Sequence, residues 1–284
     1  MSSIVILAGA GRSGTTILKD VLSKHKDIDS FEFEMNSLWK MGNEKIEHDR
    51  LSINNLMTSD RKNIKKFISR ASANNGKKIF IDKTVANVMR LHFISELLPE
   101  SKIIYLERDG RAVAVSASKR WEAKEKNVYY IRKILAMPLN AKISIIFSKL
   151  KSLLNIFDNK VHEPTWGALW PDYEISIKDK TTIEKCALQW NESVLMARSD
   201  LSLIDNKRYI KVRYENILAD PSQEIKKIIE FLELDFYPSF QDYLSNIFHQ
   251  EKGEAWKRNI NNNDIKKIEA IQKSTLLDLG YIDE

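Results

Sequence analysis

Cysteine is nearly absent from this chain of 284 residues: Cys186 stands alone. A single thiol excludes an internal disulfide framework and suits a reducing, cytoplasmic setting. Also lacking is an uncharged apolar run long enough to span a bilayer. The richest apolar region, residues 131–157, is interrupted by Lys133, Lys142, Lys149 and Lys151. The apolar run at 4–8 has no basic region before it and leads straight into glycines, so no secretory signal is expected there. No segment is densely basic, which argues against nucleic acid as a partner. There are no internal repeats and no low-complexity stretches. No His, Cys or carboxylate cluster has clear metal-ligand spacing, so no metal is expected.

What is present is ordinary for a globular chain: 43% hydrophobic and 30% charged residues. The formal charge of +6 suits an anionic small ligand or an anionic surface. Segments 4–8, 78–81, 102–106 and 209–212 are short and rich in β-branched or aromatic residues, the pattern of buried parallel strands. Helical periodicity marks 15–24, 87–98, 183–197 and 224–232. Strands alternating with helices predict a mostly parallel sheet covered on both faces. Ligands of such sheets sit at the carboxyl ends of the strands.

Residues 127–180 break this rhythm and read as a helical insertion within one domain spanning 1–284. An amphipathic stripe at 143–157 packs on the core or, being basic, makes peripheral membrane contact. A loop with Trp166, Trp170 and Tyr173 follows. Its rings either cap the inserted helices or receive sugar rings, with Glu163 and Asp172 beside them.

The decisive segment is Gly9-Ala10-Gly11-Arg12-Ser13-Gly14-Thr15-Thr16, between a strand and a helix. Backbone N–H groups at a helix start, with the helix dipole, make an anion site. Two patterns fit. As G-x-x-x-x-G-T-T it is a P-loop with Thr15 where the usual Lys stands, which argues against an ATPase or GTPase. Gly9, Gly11 and Gly14 also spell the G-x-G-x-x-G of NAD(P)- or FAD-binding Rossmann oxidoreductases, with Glu32 and Glu34 near the ribose-binding position.

A second basic site lies after the strand at 102–106. Arg108 stands at the strand end, Ser116 about two helical turns on, and Arg120 one turn beyond on the same face. Two arginines and a hydroxyl converging on one spot make another phosphate cradle. A nucleotide with a separate 3′-phosphate needs it; a dinucleotide with one pyrophosphate does not.

Together these segments resemble the PAPS-dependent sulfotransferase superfamily. G-R-S-G-T-T looks like its 5′-phosphosulfate loop, with Arg12 where some members have Lys. R-D-G-R-A-V-A-V-S looks like its 3′-phosphate motif, and Arg120 matches a further basic position of tyrosine sulfotransferases. Val212-Arg213-Tyr214-Glu215-Asn216 with Ala219-Asp220-Pro221 looks like its R-Y-E-D…D-P segment. The resemblance implies a three-layer, P-loop-like α/β fold and sulfuryl transfer from 3′-phosphoadenosine 5′-phosphosulfate (PAPS), leaving 3′,5′-ADP. A carbohydrate or glycolipid hydroxyl is the expected acceptor. It further implies that Gly11, Arg12, Ser13, Gly14, Thr15, Thr16, Arg108, Ser116 and Arg120 hold the donor and that Tyr214 lies beside the adenine. Asp82-Lys83-Thr84 looks like the family's K-T segment, and the resemblance implies that Lys83 contacts the bridging oxygen of the donor and that Arg12 joins it in catalysis. The family uses a His or a Glu as base. None of His25, His48, His92, His162 or His249 directly follows the Lys-Thr pair, and Glu34-Met35-Asn36-Ser37-Leu38-Trp39 looks like the E-x-N-x-x-W run of some homologues. The resemblance therefore implies Glu34 as base, with Glu32 as the alternative. Burial by Phe31, Phe33 and Trp39 would tune it. The remaining alternatives are the Rossmann oxidoreductase and a non-catalytic nucleotide- or glycan-binding module. Lys252, Lys257 and Arg258 around Trp256 resemble, loosely, a basic loop over the nucleotide.

Overall fold

The computed structural model describes residues 3–73, 76–122, 167–247 and 255–283. Contacts divide the chain into a unit of residues 1–120 with 167–284 and a unit of residues 121–166. The expected stripe at 143–157, Glu163, Trp166 and Lys252 lie outside the described residues.

Five strands form one parallel sheet: β1 (Ser3–Ala8), β2 (Ile28–Ser30), β3 (Ile79–Asp82), β4 (Lys102–Glu107) and β5 (Tyr209–Arg213), in the order β2-β3-β1-β4-β5. Alternation along the strands feeds two cores. Ile6, Ala8, Ile103 and Tyr105 face one side. There they pack with α3 (Thr58–Ala73), α4 (Leu91–Leu97) and α7 (Thr182–Leu201) through Ile64, Ile68, Phe93, Ile94, Ala197 and Leu201. Val5, Leu7, Ile104, Leu106 and Val212 face the other side. They meet α1 (Thr15–Leu22), α9 (Pro221–Phe231) and α10 (Pro238–Ile247) through Leu18, Val21, Ile225, Ile228 and Leu244. The remaining helices are α2 (Asn36–Trp39), α5 (Gly110–Glu122), α6 (Tyr173–Ile177), α8 (Tyr214–Ala219) and α11 (Asn262–Asp278). The result is the expected three-layer α/β arrangement. No described helix is long and apolar enough to cross a membrane.

Two sequence expectations change, and one strand was not among those expected. The helix expected over 87–98 is a 3-10 turn, Val85–Met89, followed by α4. Arg90 breaks it with an extended φ of −148°, because its fully buried guanidinium is drawn to Asn87 and Asn36. The edge strand β2 shows no run of apolar residues to announce it, since only Ile28 is apolar and buried. Finally, Ala168, Trp170 and Ile177 belong to the core shared with α4 and α7. Trp170 is 5% exposed, so its ring is core and not a sugar platform.

Candidate active site

Each strand delivers one candidate group at its carboxyl end. After β1 the chain runs through the glycine loop into α1. A Cβ on Gly9 would stand 2.6 Å from the Leu106 carbonyl oxygen, so only glycine lets β1 lie this close to β4. Arg12 (φ 74°) and Gly14 (φ 98°) are both left-handed. Such turns gather successive N–H groups into an anion-binding concavity, here at the start of the eight-residue α1. Ser13 is buried, and its Oγ has no hydrogen-bond partner among the described residues. An orphaned buried hydroxyl inside the loop fits an anion as its partner.

The second cradle touches the first. Arg108 Nη1 donates to the Arg12 carbonyl (3.1 Å), and Arg12 Nε donates to Ser116 Oγ (3.1 Å). The Arg108 guanidinium lies 4.2 Å from the Tyr214 ring centroid, and its buried Nε has no hydrogen-bond partner among the described residues. Tyr214 is itself buried against Gly14. Arg120 is exposed on the last turns of α5.

Distant elements brace this cradle. Trp190 Nε1 donates to the Arg108 carbonyl and Asp109 N–H to Glu215. Arg111 is paired with Asp109 and Glu269 and lies under Trp256. The Tyr281 hydroxyl donates to Glu215. Lys257 and Arg258 beside Trp256 are exposed. The braces come from residues about 80 to 160 positions away, so local patterning gave no signal for them.

The ends of β2 and β3 meet in an ion pair. Lys83 Nζ lies 2.7 Å from Glu34 Oε1, with side-chain exposures of 11% and 29%. Glu32 is exposed. Beneath the pair, Asp82 is fully buried and accepts from Trp39 Nε1 (2.6 Å), Asn87 Nδ2 (2.8 Å) and Thr84 Oγ1 (2.8 Å). Burial pushes its carboxyl above the ordinary range, against the pull of those three donors. Burial likewise lowers Arg90 to about 10, so it stays charged at neutral pH.

Strand order bears on the two readings of the loop. A Rossmann fold has the order 3-2-1-4-5-6, with β2 and its ribose-binding acid beside β1. Here β3 occupies that place and presents Lys83, while Glu32 and Glu34 follow the edge strand. The oxidoreductase reading therefore fails on topology.

Similarity to known proteins agrees. Among curated proteins, the chain is 21% identical over 251 residues to protein-tyrosine sulfotransferase A of Caenorhabditis elegans, covering 82% of this chain and 50% of that protein. It is 20% identical over 244 residues to protein-tyrosine sulfotransferase 2 of Gallus gallus, covering 82% and 52%. The chain thus spans about half the length of these curated relatives. Among solved structures, sulfotransferase STF9 from Mycobacterium avium aligns with a TM-score of 0.56 at 11% identity, covering 97% of this chain and 76% of that one. Mouse sulfotransferase SULT7A1, complexed with PAP, aligns with a TM-score of 0.51 at 14% identity, covering 98% and 87%. Both likenesses concern the fold. The match that decides membership is to the Sulfotransferase family, over residues 4–153 and 165–238. With most of its length matched, and with this sheet and these strand ends, the chain belongs to the sulfotransferase family.

Proposed function

We propose that this protein moves the sulfuryl group of PAPS to a hydroxyl of an acceptor. The observation that carries the reading is the joining of two anion cradles through Arg12, which contacts both Arg108 and Ser116. A ligand with separate anionic groups at its 5′ and 3′ ends suits that arrangement. Gly11, Ser13, Gly14, Thr15 and Thr16 would receive the 5′ end. Arg108, Ser116 and Arg120 would receive the 3′-phosphate, with Tyr214 and the Arg108 plane beside the adenine.

The chemistry then needs a base and a cation at the reacting end, and Glu34 and Lys83 supply them. The Glu34 carboxylate takes the proton of the acceptor hydroxyl as its oxygen bonds to sulfur. The bond from sulfur to the bridging oxygen breaks, and its electron pair stays with the leaving phosphate of 3′,5′-ADP. Lys83 and Arg12 stabilise that developing charge. The step balances without a redox partner or a metal.

The acceptor is a hydroxyl of one of two classes. A carbohydrate or glycolipid rests on the aromatic loop, from which Trp170 has been lost to the core. A tyrosine phenol is favoured by the names of the two curated relatives. The setting we infer is a reducing one, where Cys186 stays a thiol.

The test pairs binding with transfer. In a thermal-shift titration, 3′,5′-ADP should stabilise the protein and NAD should not; stabilisation by NAD alone would overturn the reading. Labelled PAPS is then offered with water, a disaccharide, a glycolipid and a tyrosine peptide. Lys83→Ala and Glu34→Gln should each lower transfer at least about 100-fold while 3′,5′-ADP still binds. Nucleotide binding with no labelled product on any acceptor would favour the non-catalytic module.

A further inference from the structure

Glu34 and Lys83 sit on loops after different strands, and loops do not hold a separation by themselves. The structure shows what holds this one. Thr84 is fully buried, and its Oγ1 accepts from the Met35 N–H (2.9 Å) and donates to Asp82 Oδ1 (2.8 Å). Met35 follows Glu34 in the chain, and Asp82 and Thr84 flank Lys83. One hydroxyl therefore ties the backbone beside the base to the backbone beside the cation.

Asp82 is fixed in turn. Trp39 Nε1, a donor only, reaches its Oδ2 at 2.6 Å, and Asn87 Nδ2 reaches the same oxygen at 2.8 Å. Because Met35 N–H occupies the Thr84 oxygen as donor, the hydroxyl proton is free to point at Asp82. All three contacts to Asp82 are then donors, and a carboxylate satisfies them all. Asn87 and Asn36 are themselves held by Arg90 through their Oδ1 atoms, at 3.1 and 2.6 Å. Lys40 and Asp49 lie 3.8 Å apart at the edge of the cluster.

We propose that Thr84, seated on Asp82, is the positioning residue that sets the Glu34–Lys83 separation for sulfuryl transfer. The inference rests on the reading of those two groups as base and cation. Neither Thr84 nor Asp82 touches a reactant in this scheme; they act through the backbone on either side. A misplacement of about 1 Å in reacting groups costs on the order of 100-fold in rate.

The test measures kcat and KM for PAPS with whichever acceptor of the panel above the wild type turns over best, water included. Thr84→Val keeps the shape and removes the hydroxyl. Its kcat should fall about 10- to 100-fold with KM for PAPS within about twofold, and Thr84→Ser should restore most of the loss. A purely structural Thr84 would lower the melting temperature and leave the kcat of the folded fraction unchanged, which overturns the proposal. Equal losses in Thr84→Ser and Thr84→Val also overturn it. Should Thr84→Val fail to fold, Trp39→Phe decides, because it removes a donor to Asp82 from α2 while leaving Thr84 and its bond to Met35 in place. A several-fold lower kcat at unchanged KM supports the proposal, and wild-type kcat in folded Trp39→Phe refutes it. Wild-type protein that sulfates nothing in the panel sinks the sulfuryl-transfer reading instead, a different outcome from an active wild type with an equally active Thr84→Val.

Discussion

Arg12 is the residue on which the two anion cradles turn. Its backbone lies in the left-handed region, where a non-glycine residue is held only by its surroundings. The holding group is Arg108, which donates to its carbonyl. Its side chain in turn orients Ser116. A change at Ser116 should therefore be felt through both contacts. On the proposed reading, Ser116→Ala removes the hydroxyl that would face the 3′-phosphate, a hydrogen bond to a charged group worth about 1.5–3 kcal/mol. Calorimetric affinity for 3′,5′-ADP should drop at least about tenfold. Affinity for 5′-AMP, which carries no 3′-phosphate, should change by less than about threefold. In a double-mutant cycle with Arg12→Ala, the two losses should not add, because the residues share one contact. Strict additivity would mean that the cradles work independently.

At the scale of elements, the glycine loop meets a helix that the sequence does not place beside it. Gly14 caps α1 at φ 98°, and a Cβ there would stand 2.5 Å from Tyr214 Cε2, on the first residue of α8. Gly14→Ala combines a left-handed penalty of about 1–2 kcal/mol with an overpacking cost of about 1–3 kcal/mol. The variant should lose about 2–5 kcal/mol in urea unfolding and bind 3′,5′-ADP far more weakly. Unchanged stability would show that the Tyr214 contact yields freely. This pair also shows what was legible. Short apolar strands, each followed by polar chemistry, marked four of the five carboxyl ends, and the motifs after them named Arg12, Lys83, Arg108 and Tyr214. The sequence could not say that Tyr214 packs on Gly14 two hundred residues earlier. Nor could it separate Glu34 from Glu32, because that choice depends on which carboxylate the β2–β3 pairing turns toward Lys83. The braces from Trp190, Glu269 and Tyr281 were illegible for the same reason. They are long-range contacts: Trp190 and Glu269 sit on helices whose local patterns read as ordinary helix faces, and Tyr281 lies beyond the end of α11.

For the whole molecule, placing so much charge at one end of the sheet has a cost in stability, and Glu107 shows its sign. This last residue of β4 is 8% exposed beside the Arg108 cradle. Desolvation raises its carboxyl above the ordinary range, although Lys211, Arg213 and Arg198 pull the other way. An acid whose pKa is higher in the folded state binds more protons there than when unfolded. Stability then falls as pH rises from the unfolded value through the folded one. Above the unfolded value the folded protein therefore bears the cost of desolvating the Glu107 carboxyl. Glu107→Gln removes that titration while keeping the shape. Its melting temperature relative to wild type should rise between pH 4.5 and pH 7.5, with the advantage largest at the upper end. A difference that stays flat over this window would mean that the three neighbouring cations compensate the desolvation in full. A difference that shrinks would mean that they overcompensate it, making Glu107 a stabilising anion of the cradle.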